Sequence, residues 1–250
     1  YQRIIELYDQ KKEFGLELLK KESINFWSDI FQKKKYGGLI SLKDGRINPL
    51  KCMKGLRKAL DSLKVTKIKE SVISIEKNIN SLNQQWLLRL ENKSPLTTDT
   101  IIICSSLTSQ SLLKPLGYEI KLDPILGQVI DLELKDKIDN LHLWPAVLNN
   151  EGINFIPEKP QGMLMGATIE SQIIPSDKAR VAMHLMNNNA PIWIKNATIN
   201  SHWSGVRARP RNEPAPMLKI LEPGLLLNSG HYRNGILLAP ACAEWISQRV

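Results

Sequence analysis

The stretch Trp203-Ser204-Gly205-Val206-Arg207-Ala208-Arg209-Pro210, followed by Leu225-Leu226-Leu227-Asn228-Ser229-Gly230-His231-Tyr232-Arg233-Asn234-Gly235-Ile236-Leu237-Leu238-Ala239-Pro240-Ala241, decides how the 250 residues fold. Both parts begin as strands, and the second passes through a polar, glycine-flanked loop into a helix. Pro240 belongs near the first turn of that helix, where its missing N–H costs nothing. Free backbone donors are therefore expected near Asn234 to Leu238, and such a helix start attracts anions and stabilises charge developing on a ligand. The plainer reading is a glycine-rich turn before a helix. Arg207 and Arg233 are the candidates for gripping a carboxylate through two parallel hydrogen bonds, a task lysine performs poorly. The plainer reading of each is a surface ion pair.

Outward from this stretch the pattern alternates between classes. Residues 1–31 predict helix, because apolar side chains recur near helical spacing without an intervening proline. A turn at Asp44-Gly45 leads to a helix started by Pro49. From Val65 onward VTKIKE, SVISIE and QQWLLRLE predict strands, and the apolar run TIIIC predicts a strand buried on both faces. Between residues 120 and 170 the segments ILGQVIDLEL, LHLWPAVLN, INFIPE and MLMGATIE predict an antiparallel sheet, with a hairpin at Lys159-Pro160-Gln161-Gly162. Ser176 or Asp177 caps a helix running through Met186. The resulting class is mixed α/β, with two interleaved units: a mixed sheet from residues 42–115 and 204–250, and an antiparallel unit at 116–203. The helical segment 1–41 is placed with the antiparallel unit.

Composition narrows the partners. A chain that is 42% hydrophobic and 24% charged can bury a core, and no stretch approaches the ~18 uncharged apolar residues of a membrane helix. No membrane partner is expected, and a cytoplasmic setting is the default. The net charge of +9 comes from lysines spread along predicted helices without stacking aromatics, so no nucleic-acid partner is expected. Cys52, Cys104 and Cys242 form no CxxC pair and leave an odd count. Cys104 and Cys242 are expected as buried small hydrophobes, and the four histidines lack ligand spacing, so no metal is expected. GxGxxG, GxxxxGK, GxSxG and HExxH are absent from the 250 residues, which gives no support to nucleotide-fingerprint or common hydrolase chemistry.

The ordered pair HWSGVRARP and LLLNSGHYRNGILLAPACAEWI resembles the C-terminal signature of the D-amino-acid oxidase family of flavoenzymes, and most closely its glycine oxidases. DGRINP at 44–49, ESVISIE at 70–76, GQV at 127–129 and GATIE at 166–170 are similar to further segments of that family, so the resemblance covers nearly all of residues 37–250. It implies a Rossmann-like FAD/NAD(P)-binding domain, truncated here, interleaved with an antiparallel substrate domain. It implies FAD as cofactor, with Val72 on the adenine side and His231, Tyr232, Arg233, Asn234, Gly235, Ile236 and Leu237 against the flavin. It also implies Arg207 and Arg233 as substrate-binding residues and no protein acid or base. The implied reaction moves a hydride from the α carbon of glycine or another small amino acid to the flavin. Dioxygen or another electron acceptor reoxidises the flavin, and the imine serves thiamine biosynthesis. A D-amino-acid dehydrogenase or a sarcosine-oxidase-like enzyme is the alternative within the class; a truncated non-catalytic remnant is the alternative outside it. A homo-oligomer is one option. The sequence departs from the family at three places. The 250 residues lack the family's strand-GxGxxG-helix opening, so this stretch by itself is not expected to hold FAD tightly. Ser105-Ser106 replaces a small step and either crowds the cofactor or caps the strand. Asn154 and Ile169 stand where a tyrosine and a methionine are expected.

Overall fold

The computed structural model describes residues 2–33, 37–78, 85–139, 141–159 and 161–250. In chain order the elements begin with α1 (Gln2–Lys11), β1 (Leu16–Leu18), α2 (Lys21–Ile30), β2 (Leu39–Ser41) and α3 (Pro49–Ser62). They continue with β3 (Val72–Lys77), β4 (Trp86–Leu90), β5 (Leu96–Thr98), β6 (Ile101–Ile103), α4 (Ser109–Leu113) and β7 (Leu122–Glu133). Next come β8 (Leu148–Asn150), β9 (Ile153–Lys159), β10 (Gly162–Gly166), α5 (Asp177–His184) and α6 (Ile192–Lys195). The chain closes with β11 (Thr198–Pro210), β12 (Met217–Glu222), β13 (Leu225–Ser229) and α7 (Gly235–Ser247).

Two compact units emerge. The first comprises Tyr1–Leu63, Gln128–Thr168 and Ser176–Trp203, and the second Lys64–Gly127, Ile169–Pro175 and Ser204–Val250. The chain passes from one unit to the other at 63/64, 127/128, 168/169, 175/176 and 203/204. Residues beyond 41 stay with the first unit because Arg46 Nη1 donates to Pro157 O at 2.7 Å and pairs with Glu158 at 3.3 Å. Residues beyond 115 stay with the second because Ile120 and Leu122 sit in its core and Leu122 N donates to Gln110 Oε1 at 3.0 Å.

The first unit is built on an antiparallel sheet ordered β11-β7-β10-β9-β8. β9 and β10 form the expected hairpin, with Lys159 opposite Gly162; Pro160 lies outside the described residues. Alternation along β7 sends Ile130 and Leu132 into the core, and Leu134 follows just past its end, while Asp131 and Glu133 take the opposite face. Phe31, Trp144, Phe155 and Trp193 meet edge-on or tilted in that core, and Trp193 Nε1 donates to Ile30 O at 2.9 Å. Residues 1–31 are not the single predicted helix. The chain turns at Gly15, and Leu16–Leu18 pair antiparallel with Leu39–Ser41, so the apolar spacing served two helices and a strand. α3 starts at Pro49 as expected, with Asn48 as its cap, accepting from Lys51 N, and α5 starts at the expected cap Ser176, which accepts from Ala179 N.

The second unit holds two three-stranded sheets, β12-β13-β6 and β3-β4-β5. β13 and β6 run parallel, with Leu225 opposite Ile101 and Leu227 opposite Ile103, while β12 pairs antiparallel with β13. Trp86, Leu113, Leu225 and Leu227 are fully buried around this pair. Burying each such side chain stabilises the fold by about 1.5–3 kcal/mol. VTKIKE forms no strand: its apolar residues Val65 and Ile68 are exposed, and β3 starts only at Val72. Ile102 is also exposed among the described residues, so β6 is not covered on both faces as expected. No helix among them is long and apolar enough to cross a membrane.

Candidate active site

Because β6 and β13 are parallel, their C-terminal ends open on the same side of the second unit. In open α/β sheets ligands lie beyond such ends. Here the chain leaves β6 through Cys104, Ser105 and Ser106, and leaves β13 through Gly230, His231 and Tyr232. Residues of both exits, together with Arg207 and Asn228, line a cavity of about 290 Å³. That is the lower end of the range for small-molecule sites, enough for one ring system and too little for a whole dinucleotide.

The walls are held by short-range bonds. Tyr232 N donates to Ala208 O at 3.1 Å and fixes the loop to β11. Gly230 and Tyr232 both have left-handed backbones, at φ 64° and 51°, which turn the chain sharply around the cavity. Ser229 Oγ donates to Ser106 O at 3.1 Å and receives a bond from the buried Ser109 hydroxyl. Ser105 Oγ lies 3.2 Å from Ser109 Oγ, so this hydroxyl is turned toward the start of α4. Ser106 remains in the cavity wall.

The sequence-derived candidates divide. Arg207 lines the cavity and, among the described residues, has no hydrogen-bond or ion-pair partner, so the surface-pair reading does not hold for it. Arg211 and Arg209, further along the same strand and beyond, face Asp123 and hold its carboxyl below the usual range. His231 and Tyr232 are in the wall with Arg207; Arg233 is exposed and outside it. Val72 opens β3, its side chain against the second core and outside the cavity wall. Asn234 precedes the first turn of α7 without a side-chain cap, and Leu238 N is the first amide of that turn bonded back, to Asn234 O. Among the described residues, the amides without a backbone partner are therefore those of Gly235, Ile236 and Leu237. Pro240 is not in the first turn: it is the sixth residue of α7 and removes the bond to Ile236 O. Trp203, Asn154 and Ile169 lie outside this cavity, and Ile169 is exposed.

Two wall residues, and a glycine packed against one of the wall's side chains, had no assigned role in the sequence. Asn228 is the penultimate residue of the apolar strand β13, and its Oδ1 is buried without a hydrogen-bond partner among the described residues. Cys104 is exposed, not the buried hydrophobe expected; burial on the cavity side pushes its thiol above the ordinary value, offset in part by a hydrogen bond with Asn228. Gly127 packs directly beneath the Arg207 guanidinium. A lone glycine inside an apolar strand signals close approach, and that signal was present in ILGQVID. A larger cavity of about 810 Å³ belongs to the first unit and is lined by Asp131, Glu133, Glu158 and Trp203; neither candidate arginine touches it.

Burial lowers the pKa of His231 below its ordinary value. The unfolded chain takes up this proton as pH falls through about 6.5, and the folded chain only at lower pH. The unfolded state therefore binds more protons in that window, and stability present above it is lost as pH falls. His231→Gln should flatten the decline in melting temperature between pH 7 and 5. Parallel declines in wild type and variant would remove His231 from that role.

The residues fit a flavin ring on three counts: a ring-sized cavity, a buried acceptor without a partner at Asn228, and free amide donors a few residues further along the same loop. A flavin edge carries both donors and acceptors and meets both needs.

Known proteins agree with this architecture. The chain is 29% identical to the glycine oxidase of Pseudomonas putida over 153 residues, covering 60% of this chain and 40% of that protein. It is 30% identical to the glycine oxidase of Pseudomonas aeruginosa over 164 residues, covering 62% and 43%. It thus spans less than half the length of these curated relatives. The crystal structure of glycine oxidase from Bacillus cereus superposes with a TM-score of 0.81 at 20% identity, covering 99% of this chain and 69% of that one. The family model described as FAD dependent oxidoreductase matches residues 1–249, and the chain belongs to that family.

Proposed function

We propose that the protein oxidises glycine or another small amino acid at its α carbon, in the cytoplasm, with dioxygen as final acceptor. The carrying observation is Arg207, an arginine with no hydrogen-bond or ion-pair partner among the described residues, in the wall of a ring-sized cavity at the ends of two parallel strands. FAD, when bound, supplies the acceptor for the substrate hydride. Arg207 pins the substrate carboxylate through its two parallel donors and so orients the α carbon. The amides of Gly235 to Leu237 face charge with the positive end of α7 behind them. His231 and Tyr232 wall off water, and Val72 stands on the adenine side. Arg233, exposed on the same loop, acts at the entrance. The substrate's proton balance needs no protein base if the amine enters neutral.

The test is to express the chain with all coding sequence in frame with it and record the visible spectrum. The expected protein is yellow, bleaches on anaerobic addition of glycine, and regains colour in air with release of peroxide. A colourless protein, or a yellow one that no small amino acid bleaches, would overturn the assignment.

A further inference from the structure

Arg207 is held by no hydrogen bond or ion pair among the described residues, and its guanidinium lies against β7. The contact responsible is Gly127. A Cβ at that position would lie 2.6 Å from Arg207 Nη2 and 2.8 Å from Cζ, and would also press on Nη1. Ordinary carbon contacts are about 3.5–4.0 Å, so any side chain at 127 displaces the guanidinium by roughly 1 Å. The strand cannot yield instead. Leu126 beside it is bonded to Glu170 in both directions, N to O at 2.8 Å and O to N at 2.9 Å, and Gly127 is itself buried.

Glycine is also an unfavoured choice here unless something requires it. A strand interior is weakened by glycine, and Gly127 does not have the positive φ that would call for one. The remaining requirement is space for the arginine head. We propose that Gly127 is a positioning residue that sets the place of the Arg207 guanidinium and thereby confers preference for ligands bearing a carboxylate. This rests on the assignment of Arg207 as the carboxylate grip. The three nearest atoms to an alanine methyl at 127 all belong to the far end of the flexible Arg207 side chain, so it disturbs the grip ahead of the strand.

The test uses the flavin-bearing protein and two probes of equal size, acetate and its neutral counterpart acetamide, titrated by calorimetry without turnover. Wild type, Gly127→Ala, Arg207→Ala and the double variant are compared. Gly127→Ala should bind acetate about tenfold more weakly, with acetamide binding unchanged. In the Arg207→Ala background the same substitution should change acetate affinity less than about twofold, because the effect passes through the arginine. General damage to the fold would weaken both probes alike and would count against the proposal. So would wild-type acetate affinity in Gly127→Ala alongside a loss in Arg207→Ala, or an equal loss from Gly127→Ala with and without the arginine. If Arg207→Ala binds acetate as wild type does, the carboxylate grip itself falls, and the role of Gly127 falls with it.

Discussion

Replacing Arg207 by alanine should lower kcat/KM for glycine by about 30- to 150-fold while leaving flavin content unchanged. The magnitude follows from the loss of charge-assisted hydrogen bonds, about 2–3 kcal/mol for a partly shielded carboxylate, at about 1.4 kcal/mol per factor of ten. The arginine is partly buried in the cavity wall and bonded to nothing else among the described residues, so truncation strands no internal partner. The loss therefore reports on the ligand rather than on a broken ion pair. Arg207→Lys should recover little of it, because an ammonium offers a point charge where a carboxylate needs two parallel donors. Both effects should shrink for an amine without a carboxylate. Equal turnover of glycine by wild type and Arg207→Ala would remove Arg207 from the substrate site.

How far this site was legible from sequence depends on which signals are local. The parallel pair β6 and β13 lies more than a hundred residues apart in the chain, yet TIIIC and GLLLNSG were each recognisable as strands, and the loop His231 to Leu237 could be placed at a strand end before a helix. Residues 1–31 were misjudged because Leu16 and Leu18 satisfy helical spacing with their neighbours while their real partners, at 39–41, are supplied by tertiary pairing. VTKIKE failed for the opposite reason. Its branched residues carry strand propensity, but no neighbouring strand pairs with them among the described residues, and propensity without a partner decides little. Pro240 was placed too early because the rule that tolerates proline in a first turn was applied without knowing where the helix begins. Asn228 and Gly127 carried no role since their meaning depends on what lies across from them: a cavity in one case, an arginine head in the other.

Gly230 lines the cavity while Gly127 lies against the Arg207 head, and the difference in their neighbours sets the second large effect. Gly230 has a left-handed backbone at φ 64°, and a Cβ there would lie 2.8 Å from Pro210 Cγ and 3.1 Å from both Leu122 Cδ2 and Met217 Cγ. Leu122 and Met217 are core side chains, at 3% and 1% exposure, and cannot step aside as an arginine head can. Gly230→Ala therefore meets two costs: about 1–2 kcal/mol for a left-handed non-glycine residue and about 1–3 kcal/mol for overpacking the core. The sum, about 2–5 kcal/mol, is a large part of the stability typical of a folded protein. The melting temperature should fall by roughly 5–15 °C, read by calorimetry or circular dichroism. Flavin content should fall with it, because His231 and Tyr232 follow Gly230 directly and any relaxation of the turn moves them out of the wall. A variant that melts within a degree or two of wild type and retains its flavin would mean that the core around Leu122 and Met217 gives way easily. The cavity would then not depend on the turn at Gly230.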